Sequence, residues 1–220
     1  MKIHWLLPFK IDNLNQIKEV NLASVRLRLG TIIQNIRASS LEISVGENIV
    51  NNPKVLVIGK LKSTNDQALK FWLSKIKLAK DNGSKIIIDY TDNHLFGNDS
   101  FYKSFYEELF SYADEAIVSS NFLKLQLGTK FNNPISIIED AIEVSPIKPK
   151  TKNSNPINIL WFGHASNINY LIQFINNWNL ENTTLLYILS NEQGFAILNQ
   201  VHFDVPKNLS IKIGIWSVDA

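Results

Sequence analysis

A chain of 220 residues with 45% apolar side chains has room for one large domain or two smaller ones and enough apolar material for a core, which excludes a disordered protein. The net charge of +2 argues against a strongly electrostatic nucleic-acid binder, so no nucleic-acid partner is expected. The absence of cysteine excludes a disulfide framework, a thiolate zinc site and a cysteine nucleophile, and fits a cytoplasmic location.

The opening MKIHWLLPFK carries too short an apolar run for a secretory signal and lacks a small-residue cleavage site. No window reaches the roughly 18 apolar residues of a spanning helix. Ile3 to Leu7 reads as a strand stopped by Pro8, followed by a polar loop to Asn21. Ser24 can cap a helix running to about Arg37, with Val25, Leu29, Ile32, Ile33 and Ile36 on its buried face. Leu41 to Val45 and Val55 to Ile58 are the next strands. Asp66 to Lys80 is an amphipathic helix, with an apolar stripe at Leu69, Trp72, Leu73 and Ile76, stopped by Gly83. Ile86 to Asp89 is a fourth strand and Ser100 to Ala113 an aromatic-rich helix. Ala116 to Val118 is a fifth strand. Asn121 caps a short helix ending at Gly128, and Ile135 to Ile138 is a sixth strand.

Ser145 to Asn155 contains two prolines and three lysines without apolar periodicity, and reads as a linker. The alternation then restarts: a strand at Ile157 to Phe162, a helix at Asn167 to Trp178, a strand at Thr184 to Leu189, a helix at Glu192 to Asn199 and a strand at Leu209 to Ile213. Strand–helix alternation on both sides predicts two α/β, Rossmann-like units with parallel sheets: residues 1–144, a linker at 145–156, and residues 157–220. Three strands in the second unit leave its sheet incomplete by this reading, with an apolar face and a strand edge exposed. The natural product is therefore expected to be longer, or this chain to be a fragment.

The strongest site candidate is KIIIDYTDNH, Lys85 to His94. Three consecutive isoleucines fit a strand buried on both faces, and the polar cluster follows at its carboxyl end, where open α/β sheets bind ligands. Asp92 and His94 are the candidate catalytic pair. The structural alternative makes Asp92 a helix cap and His94 a solvated loop residue. A second candidate is the turn Trp161-Phe162-Gly163-His164-Ala165-Ser166-Asn167. Gly163 permits close approach of a ligand, and the N–H groups of the helix start favour a phosphate. A tight turn capped by Ser166 or Asn167 is the alternative.

The chain's arginines, Arg26, Arg28 and Arg37, all lie on or beside the first helix. Arg26 and Arg28 near its start oppose the dipole, which points to an anion they hold or else to a solvated face. Their neighbours Val25, Leu29, Ile32 and Ile36 define the buried face, so both arginines are expected off it. Lys70, Lys75, Lys77 and Lys80 beside Phe71 and Trp72 suggest weak association with a membrane surface; packing of the stripe on the sheet is the alternative. The four histidines show no metal-ligand spacing, and no serine-hydrolase elbow is present.

Taken together, KIIIDYTDNHLF, FYEELFSYADEAIVSS, ISIIEDAIE and ILWFGHASN, preceded by MKIHWLLP and ASVRLR, resemble the GT-B fold glycosyltransferases of the group 1 type. The resemblance rests on order and spacing, including Tyr112, Ala113, Asp114, Ser119, Ser120 and the strand end near Asp140. It implies two Rossmann-like domains across a cleft, acceptor on the first and nucleotide-sugar on the second. It also implies transfer without a metal or resident cofactor. By position it maps Asp92 and His94 to the acceptor domain's cleft-facing loop. Gly163, with His164 and Ser166, maps to the donor phosphates. Arg26 and Arg28 are then expected to contact an anionic acceptor, a hydroxyl-bearing sugar or a lipid-linked one. The chain departs from the family in having His164 and no nearby lysine, where the family has a basic residue soon after the glycine and a lysine further on. The family's acidic donor ligands would fall beyond Ala220, so this chain by itself is expected to be a poor or inactive transferase. A non-catalytic α/β binding module is the alternative. A nicotinamide-dependent dehydrogenase is disfavoured by the missing glycine fingerprint.

Overall fold

The computed structural model describes residues 1–20, 23–36, 40–50, 52–61, 63, 65–97, 100–141, 155–202 and 204–216. Most of the expected linker, and Arg37, lie outside these. The chain divides into two compact units, Met1–Ser145 and Pro146–Ala220.

The first unit holds a six-stranded, all-parallel sheet in the order β2-β1-β3-β4-β5-β6. Its strands are β1 (Lys2–Leu6), β2 (Glu42–Gly46), β3 (Val55–Ile58), β4 (Lys85–Tyr90), β5 (Glu115–Val118) and β6 (Ile135–Ile137). The order reverses between β1 and β3, so the carboxyl ends of those two strands flank a topological switch point, the usual place for a ligand crevice. Gly59 is required there. A Cβ on it would lie 2.9 Å from the Trp5 indole nitrogen and 3.2 Å from the Leu6 carbonyl. The bare backbone lets the end of β3 close on β1, where the Gly59 N–H donates to the Leu6 carbonyl at 3.1 Å.

One sheet face is covered by α3 (Asp66–Asp81), α4 (Ser100–Tyr112) and α5 (Asn121–Leu127). The expected stripe Leu69, Trp72, Leu73 and Ile76 is buried there with Leu56, Ile58, Ile86 and Ile88. Gly83, at φ 86°, ends α3 in the left-handed region. Ser120, not Asn121, caps α5: its hydroxyl accepts from the Leu123 N–H at 3.3 Å. Side chains of β-strands alternate, so the odd positions Trp5, Val57, Ile87, Asp89 and Ile117 share the opposite face. That face meets the helical stretch after β1.

That stretch departs from the expected single helix. A 3-10 segment, Leu14–Glu19, replaces the polar loop, and its Asn13 and Gln16 form a capping box. Then come α1 (Ala23–Val25), a π-helical turn at Arg26–Gly30 and α2 (Thr31–Asn35). The Thr31 N–H reaches back to the Arg26 carbonyl, five residues away. The inserted residue rotates α2 about the helix axis relative to α1. Val25 and Leu29 are buried as expected, but Ile32 is only half-buried, and Arg28 joins the buried side.

The second unit carries a parallel sheet of β7 (Ile157–Gly163), β8 (Thr184–Ser190) and β9 (Leu209–Ile215), in that order. Both α6 (Ile168–Asn176) and α7 (Glu192–Gln200) pack on one face, through Ile168, Leu171, Ile175 and Leu198 against Leu186 and Ile188. On the other face Leu160 and Phe162 are 59% and 71% exposed, an apolar surface unusual for a parallel sheet. Both units are thus α/β, with six-stranded and three-stranded parallel sheets, Rossmann-like in general form.

His4 is buried between β1 and β2. Its Nε2 lies 3.2 Å from the Gly46 carbonyl, which can only accept, so Nε2 carries the proton; Nδ1, 2.8 Å from the Ser44 hydroxyl, accepts from it. Burial holds its pKa below the ordinary 6.5, the bond to Gly46 opposing this. The unfolded chain therefore binds this proton first, so the stability contributed by neutral His4 is full above pH 6.5 and is lost as pH falls through the depressed value. The urea midpoint of the native chain is expected to fall more steeply between pH 7 and pH 5 than that of His4→Gln; parallel slopes would exclude His4 as the titrating group.

Candidate functional site

β4 ends in consecutive residues that point to opposite faces, and each anchors a different part of the carboxyl edge. Asp89 turns to the face carrying Trp5 and Ile117. Tyr90 turns to the helix-covered face, among Phe105, Leu109 and Phe110.

Tyr90 shapes the loop after the strand. Its phenol oxygen accepts the Leu95 N–H at 2.9 Å, and the His94 N–H donates to the Asp92 carbonyl at 2.9 Å. The loop is folded back over the ring. Burial raises the Tyr90 pKa, so the phenol stays neutral. The His94 ring stacks on Tyr106, with centroids 4.6 Å apart and planes 13° from parallel, and Tyr102 lies at 5.5 Å. Tyr102 and Tyr106 are one turn apart on α4, so the aromatic helix builds the wall against which the imidazole lies. Burial drives the Tyr106 pKa upward, so its hydroxyl also stays protonated.

His94 Nε2 is 3.9 Å from Asp92 Oδ2, and the Lys60 ammonium is 2.5 Å from that same oxygen. Lys60 follows Gly59 at the end of β3, beside the switch point. Asp92 is therefore not a helix cap, and His94 is half-buried rather than a solvated loop residue. Lys60, Asp92 and His94 form a cation–carboxylate–imidazole row on the first unit's carboxyl edge. The sequence pattern does not mark Lys60, although the rule that singles out the end of β4 applies equally to the residues after Ile58.

The arginines fall elsewhere than expected. Arg28 is 5% exposed and Asp89 6%. Arg28 Nε lies 2.7 and 2.8 Å from the two Asp89 carboxylate oxygens, and one terminal nitrogen lies 2.6 Å from Oδ1. The other terminal nitrogen donates to the Ile138 carbonyl at 2.8 Å and to Asp140 at 3.0 Å. The expectation that both arginines lie off the buried face is thus corrected for Arg28: its anions are Asp89 and Asp140 of its own unit. Burial raises the Asp89 pKa, with Arg28 pulling it back. Burial also works against the Arg28 charge, but its bonds to Asp89 and Asp140 outweigh this and raise its pKa. Arg26 is half-buried and donates to the Val20 carbonyl at 3.2 Å. Beside the ion pair lies a cavity of about 230 Å³.

In the second unit Gly163 has a local reason to be glycine: a Cβ would sit 2.7 and 2.8 Å from ring atoms of Trp161. The amides expected for a phosphate are engaged within the unit. The Ala165 N–H donates to Asn191 at 2.9 Å, and the Ser166 N–H donates to His164 Nδ1 at 3.2 Å. The Asn167 and Ile168 N–H groups return to His164 and Ala165 carbonyls. His164 and Ser166 are exposed, and His164, rather than Ser166 or Asn167, caps the turn.

On α3, Trp72 belongs to the core, so it is not available to a membrane surface; Phe71 and Leu78 are exposed, with Lys75 4.1 Å over the Phe71 ring. Lys70 and Lys80 pair with Asp66 and Asp114. Among the described residues no helix is long and apolar enough to cross a membrane, and no group of histidines and carboxylates could hold a metal ion. Compared with known proteins, the chain matches no family model, no curated protein and no solved structure.

Removing one member of a buried pair leaves the other charge uncompensated, at a cost of about 3–5 kcal/mol, whereas an apolar pair of similar volume is near neutral. Arg28→Met is expected to lower unfolding stability by that amount, and Arg28→Met with Asp89→Leu to recover most of it. Equal losses in the single and double variants would show that the pair does not act as a unit.

Proposed function

We propose that the chain is a glycosyltransferase-like protein of GT-B type, moving a sugar from a nucleotide-sugar to a hydroxyl acceptor in cytoplasmic glycan or polysaccharide synthesis. The observation that carries this reading is the row Lys60, Asp92 and His94 on the carboxyl edge of a parallel sheet, beside its switch point. A half-buried imidazole braced on an aromatic wall, with a carboxylate 3.9 Å away, suits a general base. In the proposed step the acceptor oxygen forms a bond to the anomeric carbon while the bond from that carbon to the diphosphate breaks. The acceptor proton passes to His94, and the nucleoside diphosphate leaves with the electron pair. Asp92 faces the imidazolium as it forms, and Lys60 holds Asp92 in place. In a retaining transfer the same groups orient the sugar and stabilise charge instead. The acceptor, a sugar or a lipid-linked hydroxyl, belongs to the first unit and the nucleotide-sugar to the second. The reading calls for no resident cofactor.

One observation favours a second reading, a non-catalytic binding module derived from such an enzyme. The turn after β7 satisfies its own amides, and Trp161 accounts for Gly163, so neither feature requires a donor phosphate.

The two readings separate in a panel of nucleotide-sugars with mixed hydroxyl acceptors, monitored for nucleoside diphosphate release and for binding by calorimetry. Transfer that His94→Ala lowers by about 10²–10⁴-fold, with Asp92→Asn less severe, supports the enzyme. Saturable nucleotide-sugar binding without turnover supports the module. The transferase proposal fails if His94→Ala transfers at the native rate.

A further inference from the structure

The cavity beside the buried ion pair lies on the opposite sheet face from the His94 wall, because Asp89 and Tyr90 are consecutive in β4. Its walls are mostly apolar: Trp5 and Ile117 from the sheet, Leu27 and Ile32 from the helical stretch, where Thr31 is the polar member, and Ile138 after β6. Arg28 and Asp89 form its charged base, and Glu139 stands at the exposed rim.

The charges decide what it can take. Among the described residues that line it, Arg28 is the one cation, and its nitrogens are already directed at Asp89, Asp140 and the Ile138 carbonyl. Against that single positive charge stand the Asp89 and Glu139 carboxylates that line the cavity, while Asp140, outside the lining, already pairs with Arg28. An anion entering here would meet a guanidinium that already holds two carboxylates, plus the charge of Glu139. A cation would meet the surplus negative charge. At about 230 Å³ the space suits one compact apolar body, such as a single ring or a short chain.

We infer that this cavity is a binding site for a small amphipathic cation, an organic amine whose apolar body lies among Trp5, Ile32, Ile117 and Ile138 and whose ammonium group is held at the Glu139 rim. The site is separate from the Lys60–Asp92–His94 row and does not rest on the transferase reading.

The test titrates the full 220-residue chain by calorimetry with three ligands of closely similar shape: 2-phenylethylamine, 2-phenylethanol and 3-phenylpropanoate. The amine is expected to bind up to about fivefold more tightly than the alcohol, the most that one exposed ion pair supplies, and the carboxylate least. Glu139 is exposed, so Glu139→Gln should fold normally and reduce the amine's preference to about twofold or less. Glu108→Gln, another exposed carboxylate, should leave it unchanged. Equal affinity for amine and alcohol would reduce the cavity to an apolar hole and overturn the proposal. Tightest binding of the carboxylate would return Arg28 to the role of anion receptor and overturn it equally. So would the absence of saturable binding by all three at millimolar concentration.

Discussion

The carboxyl edge of the first unit depends on one buried ion pair. A guanidinium at Arg28 would be very costly inside an apolar helix–sheet interface without partners, and Asp89 would be equally costly on a strand buried on both faces. Together they form a bidentate pair of strong, directional bonds. The remaining donors of Arg28 then reach past β5 to the Ile138 carbonyl and Asp140, beyond the end of β6. One side chain thereby ties the helical stretch after β1 to the ends of β4 and β6. The π-helical turn belongs to the same arrangement. Gly30 leaves room for Ile17, 3.3 Å from where its Cβ would be, so the turn seats against the 3-10 segment while Arg28 points at the sheet. A buried pair of this kind adds little net stability compared with apolar packing, but it fixes register, since a shift of the helix by one residue would leave both charges unpaired.

Strand parity then divides the labour at β4. Asp89 serves the ion pair and the cavity on one face, and Tyr90 serves the loop and the His94 wall on the other. Because the two residues are consecutive, both features sit at the same height on the same edge and differ only in face. The Tyr90 hydroxyl turns an otherwise apolar core position into an anchor for the loop backbone at Leu95. The imidazole position thus depends on the core beneath it, and the Lys60 contact to Asp92 ties the row sideways to β3.

Much of the fold was legible because parallel strands in α/β units are short unbroken runs of β-branched residues, and because Leu69, Trp72, Leu73 and Ile76 repeat at helical spacing. The run Val55–Ile58 is the clearest case. The stretch after β1 was only half legible. Val25, Arg28, Leu29 and Ile32 fall at i, i+3, i+4 and i+7, so Arg28 stood in the buried stripe all along; treating arginine as a surface residue hid it. Its partner could not be read from the chain, because Asp89 lies 61 residues away and no local pattern encodes that contact. The π turn was invisible for a related reason: one extra residue in a helix leaves the composition unchanged and alters only the phase. At the candidate site Asp92 and His94 were found from their place after an isoleucine run. Lys60 is not legible in the sequence, because a lone lysine after a glycine carries no pattern of its own and becomes notable only when the sheet order sets β3 beside β4.

The second unit shows why a glycine at a strand end is weak evidence for a ligand. Gly163 occupies a position where a backbone could approach a phosphate, but the nearest group to its missing Cβ is an indole two residues earlier in the same strand. Gly194 behaves in the same way. A Cβ there would lie 1.9 Å from the Ser190 hydroxyl, which donates instead to the Gly163 carbonyl at 2.7 Å. The two glycines and Ser190 therefore form one packing unit that lets α7 approach β8 closely and closes the end of β7. Asn191 extends it by accepting the Ala165 N–H. Each member has a structural partner within the unit, so the turn would keep its shape with nothing bound. Any ligand at this turn would compete with those bonds or use the exposed side chains of His164 and Ser166. For any ligand at this turn, recognition by side chains would be the physically cheaper route, since the backbone amides of residues 165 to 168 are already committed.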